Sequence, residues 1–167
     1  IPNTVEKGLR AILKLKPVFT TIHISGGDEM QKVSSVCNQK NSKILGVTIL
    51  TSLNKIQTSK YYNEKNVKSL VRKFAKYAKI NKLNGLVCSP LEISTIRKEV
   101  GKKMILVVPG IRPHNNNIKL DDQKRTLTPI EAIKLGADYL VIGRPIVDSK
   151  NPLKKIKEIN KSLQNDI

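Results

Sequence analysis

The stretch Ala137 to Pro145, ADYLVIGRP, read together with Val108 to Arg125, VPGIRPHNNNIKLDDQKR, is where the reading of this chain begins. Tyr139 to Ile142 form a short apolar run that stops at Gly143 and Arg144, and Asp148 to Leu163 then reads as a helix. Strand, turn and helix follow one another in that order. A glycine directly after a buried strand lets backbone N–H groups come close to an anion, and a neighbouring arginine offers a forked, charge-assisted pair of hydrogen bonds. Gly143 and Arg144 are therefore a candidate phosphate cradle. Taken alone, the same residues also fit an ordinary βα turn.

Outward from this segment the rhythm repeats. Short β-rich runs occur at Thr20 to Ile24, Ile44 to Leu50, Gly85 to Cys88, Met104 to Val108 and Tyr139 to Ile142, each followed by polar turn residues and mostly by helical periodicity. Because the runs are continuous rather than alternating, they predict parallel strands covered on both faces. A first helix is expected near Asn3, where Asn3 and Glu6 have capping-box spacing after Pro2, with Val5, Leu9, Ile12 and Leu13 as its apolar stripe. Val67, Leu70, Val71, Phe74, Ala75 and Ala78 mark a second, with lysines on its other face, and Ile93, Ile96 and Val100 a third. Thr128-Pro129-Ile130-Glu131 is a capping box with proline at its favoured first position, closed by Gly136. Asn151-Pro152 opens the regular part of the last helix, whose stripe is Leu153, Ile156, Ile159 and Leu163. The polar loop from Pro113 to Thr126 lacks periodicity, and loops of that length in a compact domain are usually functional or disordered.

The 167 residues suffice for one real core, so residues 1–167 are expected to form a single domain. Cys37 and Cys88 are far apart and form no CxxC pair, which predicts reduced thiols in a cytoplasmic protein. No apolar run approaches the roughly 18 residues that span a bilayer, and the first residues lack the pattern of a signal peptide, so no membrane association is expected. The 31 basic residues against 13 acidic give a net charge of +18. Only six of the 31 are arginine, no Trp is present, and the lysines are scattered. That pattern reads as a solvated lysine coat with salt-sensitive attraction to polyanions rather than as a specific nucleic-acid module. His23 beside Ser25-Gly26-Gly27 reads as a buried, hydrogen-bonded strand histidine, and metal ligation with His114 is not expected.

Periodicity alone fits either an open doubly wound sheet or a (βα)8 barrel. PGIRP, DDQKR, TP and DYLVIGRP resemble, in residues and order, the C-terminal signature of the orotidine 5′-phosphate decarboxylase family. HISGG (23–27), GVTILTSL (46–53) and GLVCSP (85–90) fit the same family in the same order. The resemblance implies an α/β protein of the TIM-barrel class, with the five strands here matching the fourth to eighth of the barrel. A barrel of this kind takes around 250 residues. The chain begins at Ile1-Pro2-Asn3-Thr4, where in the family an Asp-x-Lys-x-x-Asp run comes just before Ile-Pro-Asn-Thr. The expectation is thus an incomplete barrel, a C-terminal portion whose catalytic carboxylate and lysine residues lie upstream, with no catalytic residue in this chain.

What the resemblance implies for the site is the binding half. Gly143 and Arg144 match the phosphate-binding glycine and arginine after the last strand. Arg112 and Gln123 match positions on a mobile loop that contact phosphate, and Thr51, with Ser52 as runner-up, matches a polar residue that meets the base. Pro109 matches a residue lining the base pocket, and Thr4 one that reaches a ribose hydroxyl in the partner subunit. Implied partners are the nucleotides OMP and UMP and a second copy in a homodimer. No cofactor and no metal are implied. The reaction would be decarboxylation of OMP to UMP in pyrimidine biosynthesis. The alternatives are a catalytically dead remnant that at most binds UMP-like phosphates, and a sister family acting on sugar phosphates.

Overall fold

The predicted alternation of strands and helices is what folds. A computed structural model describes residues 1–36, 42–113 and 126–164; Cys37, His114, Gln123 and the DDQKR run lie outside them. Five strands, β1 (Phe19–His23), β2 (Lys43–Val47), β3 (Gly85–Val87), β4 (Ile105–Pro109) and β5 (Tyr139–Val141), pair in sequence order, every neighbour parallel. The helices are α1 (Pro2–Leu13), α2 (Asp28–Val36), α3 (Lys55–Tyr62), α4 (Val67–Ile80), α5 (Ile93–Val100), α6 (Pro129–Leu135), α7 (Arg144–Val147) and α8 (Pro152–Gln164), with 3₁₀ turns at Ile24–Gly26 and Pro90–Glu92. No described helix is long and apolar enough to cross a membrane.

Side chains leave each strand to alternate sides, and the two sides of this sheet differ. Ile22, Ile44, Leu86, Leu106 and Val108 point toward the helices and join the stripe of α4 and the Ile93, Ile96 and Val100 face of α5 in one core. The six predicted stripe residues of α4 are all buried. On the other side stand Phe19, Thr21 and His23 of β1 and Tyr139 and Val141 of β5, and here the rings of Phe19 and Tyr139 meet edge to face with centroids 4.9 Å apart. Strands sit about 4.8 Å apart, so the edges of a flat five-stranded sheet would be roughly 19 Å from one another. The contact therefore requires a strongly curled sheet, concave on the Phe19 and Tyr139 side. β1 and β5 are close enough for side chains to touch but share no ladder.

Local chemistry explains the helix starts. Thr128 Oγ1 accepts from Glu131 N at 3.3 Å while Thr128 N donates to Glu131 Oε2 at 2.8 Å, and Gly136 closes α6 at φ 109°. Asn54 and Gln57 make the same reciprocal pair ahead of α3, at 2.9 and 3.1 Å. Glu92 Oε2 accepts from Ser89 N at 3.1 Å where the chain turns out of β3. In the sheet, a Cβ on Gly85 would run into the Ile105 carbonyl, so only glycine lets β3 and β4 approach there.

Several expectations are corrected. Asn3 and Glu6 form no capping box: Pro2 takes the first helical position after Ile1, and Glu6 accepts instead from Arg10, at 2.7 and 3.0 Å. Coverage on both faces holds for β2 to β4 but not for β1 and β5, which are the sheet edges. His23 is accordingly exposed on the open side of β1 rather than buried. Ile12 of the α1 stripe and Leu153 of the α8 stripe are likewise exposed, because nothing described packs outside these outer helices. The final helical segment is also interrupted, with the short α7 starting at Arg144 and α8 only at Pro152.

Candidate functional site

All five strands run the same way, so their C-terminal ends form one rim, the side on which barrel sites are built. The rim collects His23, the turn from Thr48 to Thr51, Ser89, the run Pro109 to Arg112 and the pair Gly143-Arg144. The last two groups leave neighbouring strands. Pro109 pairs with Val141, the last pair of the ladder, and Arg112 and Arg144 each follow three residues later in the chain. Gly110 turns the chain there at φ 80°, a conformation that glycine adopts without strain. Ile111 is fully buried and bridges in parallel to Leu127, and Arg112 N donates to Leu127 O at 2.9 Å. The two ends of the long loop are thereby pinned to each other beside β4. Arg112 is half-buried, with Nη1 donating to the Ile111 carbonyl at 3.0 Å.

Gly143 carries an unusual signature. At φ −100° it does not need glycine for a left-handed turn, and a Cβ built on it would have no described atom within 4 Å. Crowding by described atoms does not account for the residue. Its carbonyl accepts from Ile146 N at 2.8 Å and Val147 N at 3.1 Å, which fixes the first turn of α7, and Arg144 stands exposed beside it.

Behind this rim the concave face supplies an apolar floor in which Val47, Val87 and Pro109 are half-buried and Val141 is open. Thr48, which the sequence reading passed over, lies buried under the β2 end, where its Oγ1 donates to the Val87 carbonyl at 3.0 Å. Thr51 is half-buried on the same turn, and Ser52 is exposed. That turn follows β2, two strands from β4. Thr4 is exposed in the first turn of α1 and belongs to none of these strand ends. Pro109, Arg112, Gly143 and Arg144 thus lie at or just beyond the ends of two neighbouring strands, with Thr51 after β2 and Thr4 in α1. Cys88 closes the list of reactive groups. It faces the helices with the core, and burial, aided by Glu92 and opposed by Arg97, pushes its thiol far above the ordinary range, so it is no nucleophile. Among the described residues no three His, Cys, Asp or Glu side chains cluster as a metal site would require.

The model of the orotidine 5′-phosphate decarboxylase / HUMPS family matches residues 1–159. The chain belongs to that family. The orotidine 5′-phosphate decarboxylase of Wolbachia pipientis subsp. Culex pipiens (strain wPip) is 46% identical over 164 residues, covering 98% of this chain and 71% of the relative. That of Aliivibrio fischeri (strain MJ11) is 38% identical over 167 residues, covering 98% and 70%. The crystal structure of orotidine 5′-phosphate decarboxylase from Lactobacillus acidophilus superposes with a TM-score of 0.82 at 32% identity, over 98% of this chain and 70% of that one. As a member of the decarboxylase family, the chain thus has the α/β architecture of its relatives, here as five parallel strands.

Proposed function

We propose that residues 1–167 are the last five βα units of an orotidine 5′-phosphate decarboxylase barrel, and that they supply the part of the site that grips the nucleotide. The observation that carries this reading is that β4, which leads into Arg112, and β5, which leads into Gly143-Arg144, are neighbouring parallel strands, so both runs leave the sheet at the same rim. An anion seated against Gly143 would meet backbone N–H groups on one side and guanidinium groups on the other, the donor set that suits a phosphate. The apolar row of Val47, Val87 and Pro109 offers a surface for a planar base, with Thr51 as the polar group at its far side. Gln123, outside the described residues, and Thr4, as a contribution across a homodimer, enter on the family resemblance alone.

The chemistry divides accordingly. Loss of CO₂ from orotidylate leaves a carbanion on the pyrimidine with no cofactor to delocalise it, so a carboxylate and ammonium array must act at that carbon, the ammonium stabilising and then protonating it. The Asp-x-Lys-x-x-Asp run that the resemblance assigns to this step does not occur in residues 1–167. What this chain contributes is binding energy at the phosphate, remote from the reacting carbon, which the whole site uses to hold the substrate in place.

Calorimetry with UMP, together with an OMP decarboxylation assay on the same polypeptide, tests the reading. UMP binding that Arg144→Ala weakens by about 100-fold, without turnover, is the expected result. Failure to bind UMP or inorganic phosphate would overturn it. Turnover by this polypeptide would overturn the division of labour between binding and chemistry.

A further inference from the structure

Asn84 and Gly85 are each required by the sheet where they stand, and side by side they form a chemically labile pair. Asn-Gly occurs nowhere else in the chain. A glycine after asparagine leaves the next peptide nitrogen without a flanking Cβ and gives the backbone wide freedom, so the asparagine side chain can close on it. In that closure the Gly85 nitrogen attacks Asn84 Cγ. A C–N bond forms, and the side-chain amide leaves as ammonia with the proton that Gly85 N gives up. Water then opens the five-membered ring at either carbonyl. One product is aspartate; the other is isoaspartate, in which the backbone runs through the former side chain and is one carbon longer.

The folded chain holds both reacting groups off this path. Asn84 Oδ1 accepts from Ile44 N at 2.8 Å and Asn84 N donates to Ile44 O at 3.0 Å, so the residue is clipped to β2 by a reciprocal pair. On its other side the Asn84 carbonyl accepts from Ile105 N of β4 at 3.1 Å. Swinging Cγ onto Gly85 N turns the side chain away from Ile44 and the Asn84 carbonyl away from Ile105, so bonds to both neighbouring strands must break first. Gly85 is buried, and no bulkier residue that would slow the reaction can replace it, because a Cβ would strike the Ile105 carbonyl. A second copy of the same device shows which product fits. Asp138 stands one residue ahead of β5 and accepts from Leu106 N, the second residue of β4; Asn84 stands one residue ahead of β3 and accepts from Ile44 N, the second residue of β2. A carboxylate therefore serves at such a position. Isoaspartate does not, since its added backbone carbon shifts the register that sets Gly85 against Leu45 and Ile105 in the middle of the sheet. We propose that Asn84-Gly85 is a deamidation site gated by folding: closed in the folded chain, open in the unfolded one, and ending in isoaspartate molecules that can no longer fold. The proposal stands whatever the rim binds.

The test incubates the chain at mildly alkaline pH, in buffer and in guanidinium chloride, and follows the tryptic peptide Leu83–Arg97, whose single asparagine is Asn84, by mass spectrometry. Conversion of the amide to acid is expected to be at least about 100-fold slower in buffer, because it must await the opening of central strands. Equal rates in the two solutions would overturn the gate. The denaturant is then removed, and the folded molecules are separated by size exclusion and checked by circular dichroism. Enzymatic methylation of isoaspartyl carboxylates is expected to find the folded fraction depleted of isoaspartate and the misfolded fraction enriched in it. The Asn84→Asp variant, which has the charge but not the longer backbone, is expected to refold and to unfold at the denaturant midpoint of the parent chain. Isoaspartate present equally in both fractions, or an Asn84→Asp variant that refolds as poorly as the isoaspartyl chain, would overturn the claim that the longer backbone is what ends folding.

Discussion

The two ends of the strands are put to different uses. At the N-terminal ends, side chains are spent on tying the backbone together. Asn84, just ahead of β3, accepts from Ile44 N of the neighbouring strand at 2.8 Å, and Asp138, just ahead of β5, accepts from Leu106 N at 2.7 Å. Arg97 of α5 gathers that end, donating to the carbonyls of Gly136, Gly101 and Met104 at 2.7 to 2.9 Å and to Asp138 Oδ2 at 2.6 Å. At the C-terminal ends Thr48 and Glu92 still tie the backbone, but His23, Ser52, Gly143 and Arg144 are exposed. The lesson is a separation along a single axis: stability is secured at one end so that polar groups at the other need not provide it, as barrel architecture generally allows.

The strongest way to break that comparison is at Arg97. Its side chain is only 14% exposed and holds several partners, so Arg97→Ala leaves the part-buried Gly136 and Met104 carbonyls and the Asp138 carboxylate without their donor. A loss of about 3 kcal/mol in urea unfolding is expected. UMP affinity of the folded fraction should be unchanged; a loss of affinity without a loss of stability would show the two ends to be coupled. Arg144→Ala is the mirror case, weakening UMP or phosphate binding by about 100-fold in calorimetry, equivalent to about 2.7 kcal/mol, while the unfolding midpoint barely moves. Gly143→Ala is next: with no described atom near the added methyl, stability should hold within about 0.5 kcal/mol while phosphate affinity falls by about tenfold. A stability loss as large as the binding loss would mean that the glycine serves the fold.

The smallest effect sharpens the comparison by an exception. Cys88 sits at the C-terminal end of β3 yet faces the helices, so it should behave as core. Because its folded pKa is raised, the folded state keeps a proton that the unfolded chain releases above about pH 9, and stability falls as pH rises past that point. At pH 9.5 the loss should be about 0.8 kcal/mol relative to pH 7, and it should vanish in Cys88→Ala. Rapid labelling of Cys88 by a maleimide in the folded protein, read by mass spectrometry, would place it on the open rim instead.

How much of this was readable in advance depends on how local the cause is. The five strands, the α4 stripe and the Thr128 to Gly136 helix followed from spacings of a few residues, and the structure has them. The Ser89 to Glu92 and Asn54 to Gln57 spacings carry the same information. His23 was misjudged because edge position is set by what else pairs in the sheet, which a single strand does not encode. The Arg97 clamp was illegible for a similar reason, its partners Gly136 and Asp138 lying 39 and 41 residues away. Of the candidate site, the motifs named the residues, but only the sheet order shows that the strands leading into Arg112 and Arg144 are neighbours.

The Phe19 and Tyr139 contact has a mechanical consequence. One pair of rings latches the ends of a curved spring, so the bore of the arc is gauged by the bulk of two side chains rather than by any backbone bond. Trimming either ring should let the spring relax, changing the spacing of everything mounted along it while every ladder between neighbouring strands stays intact.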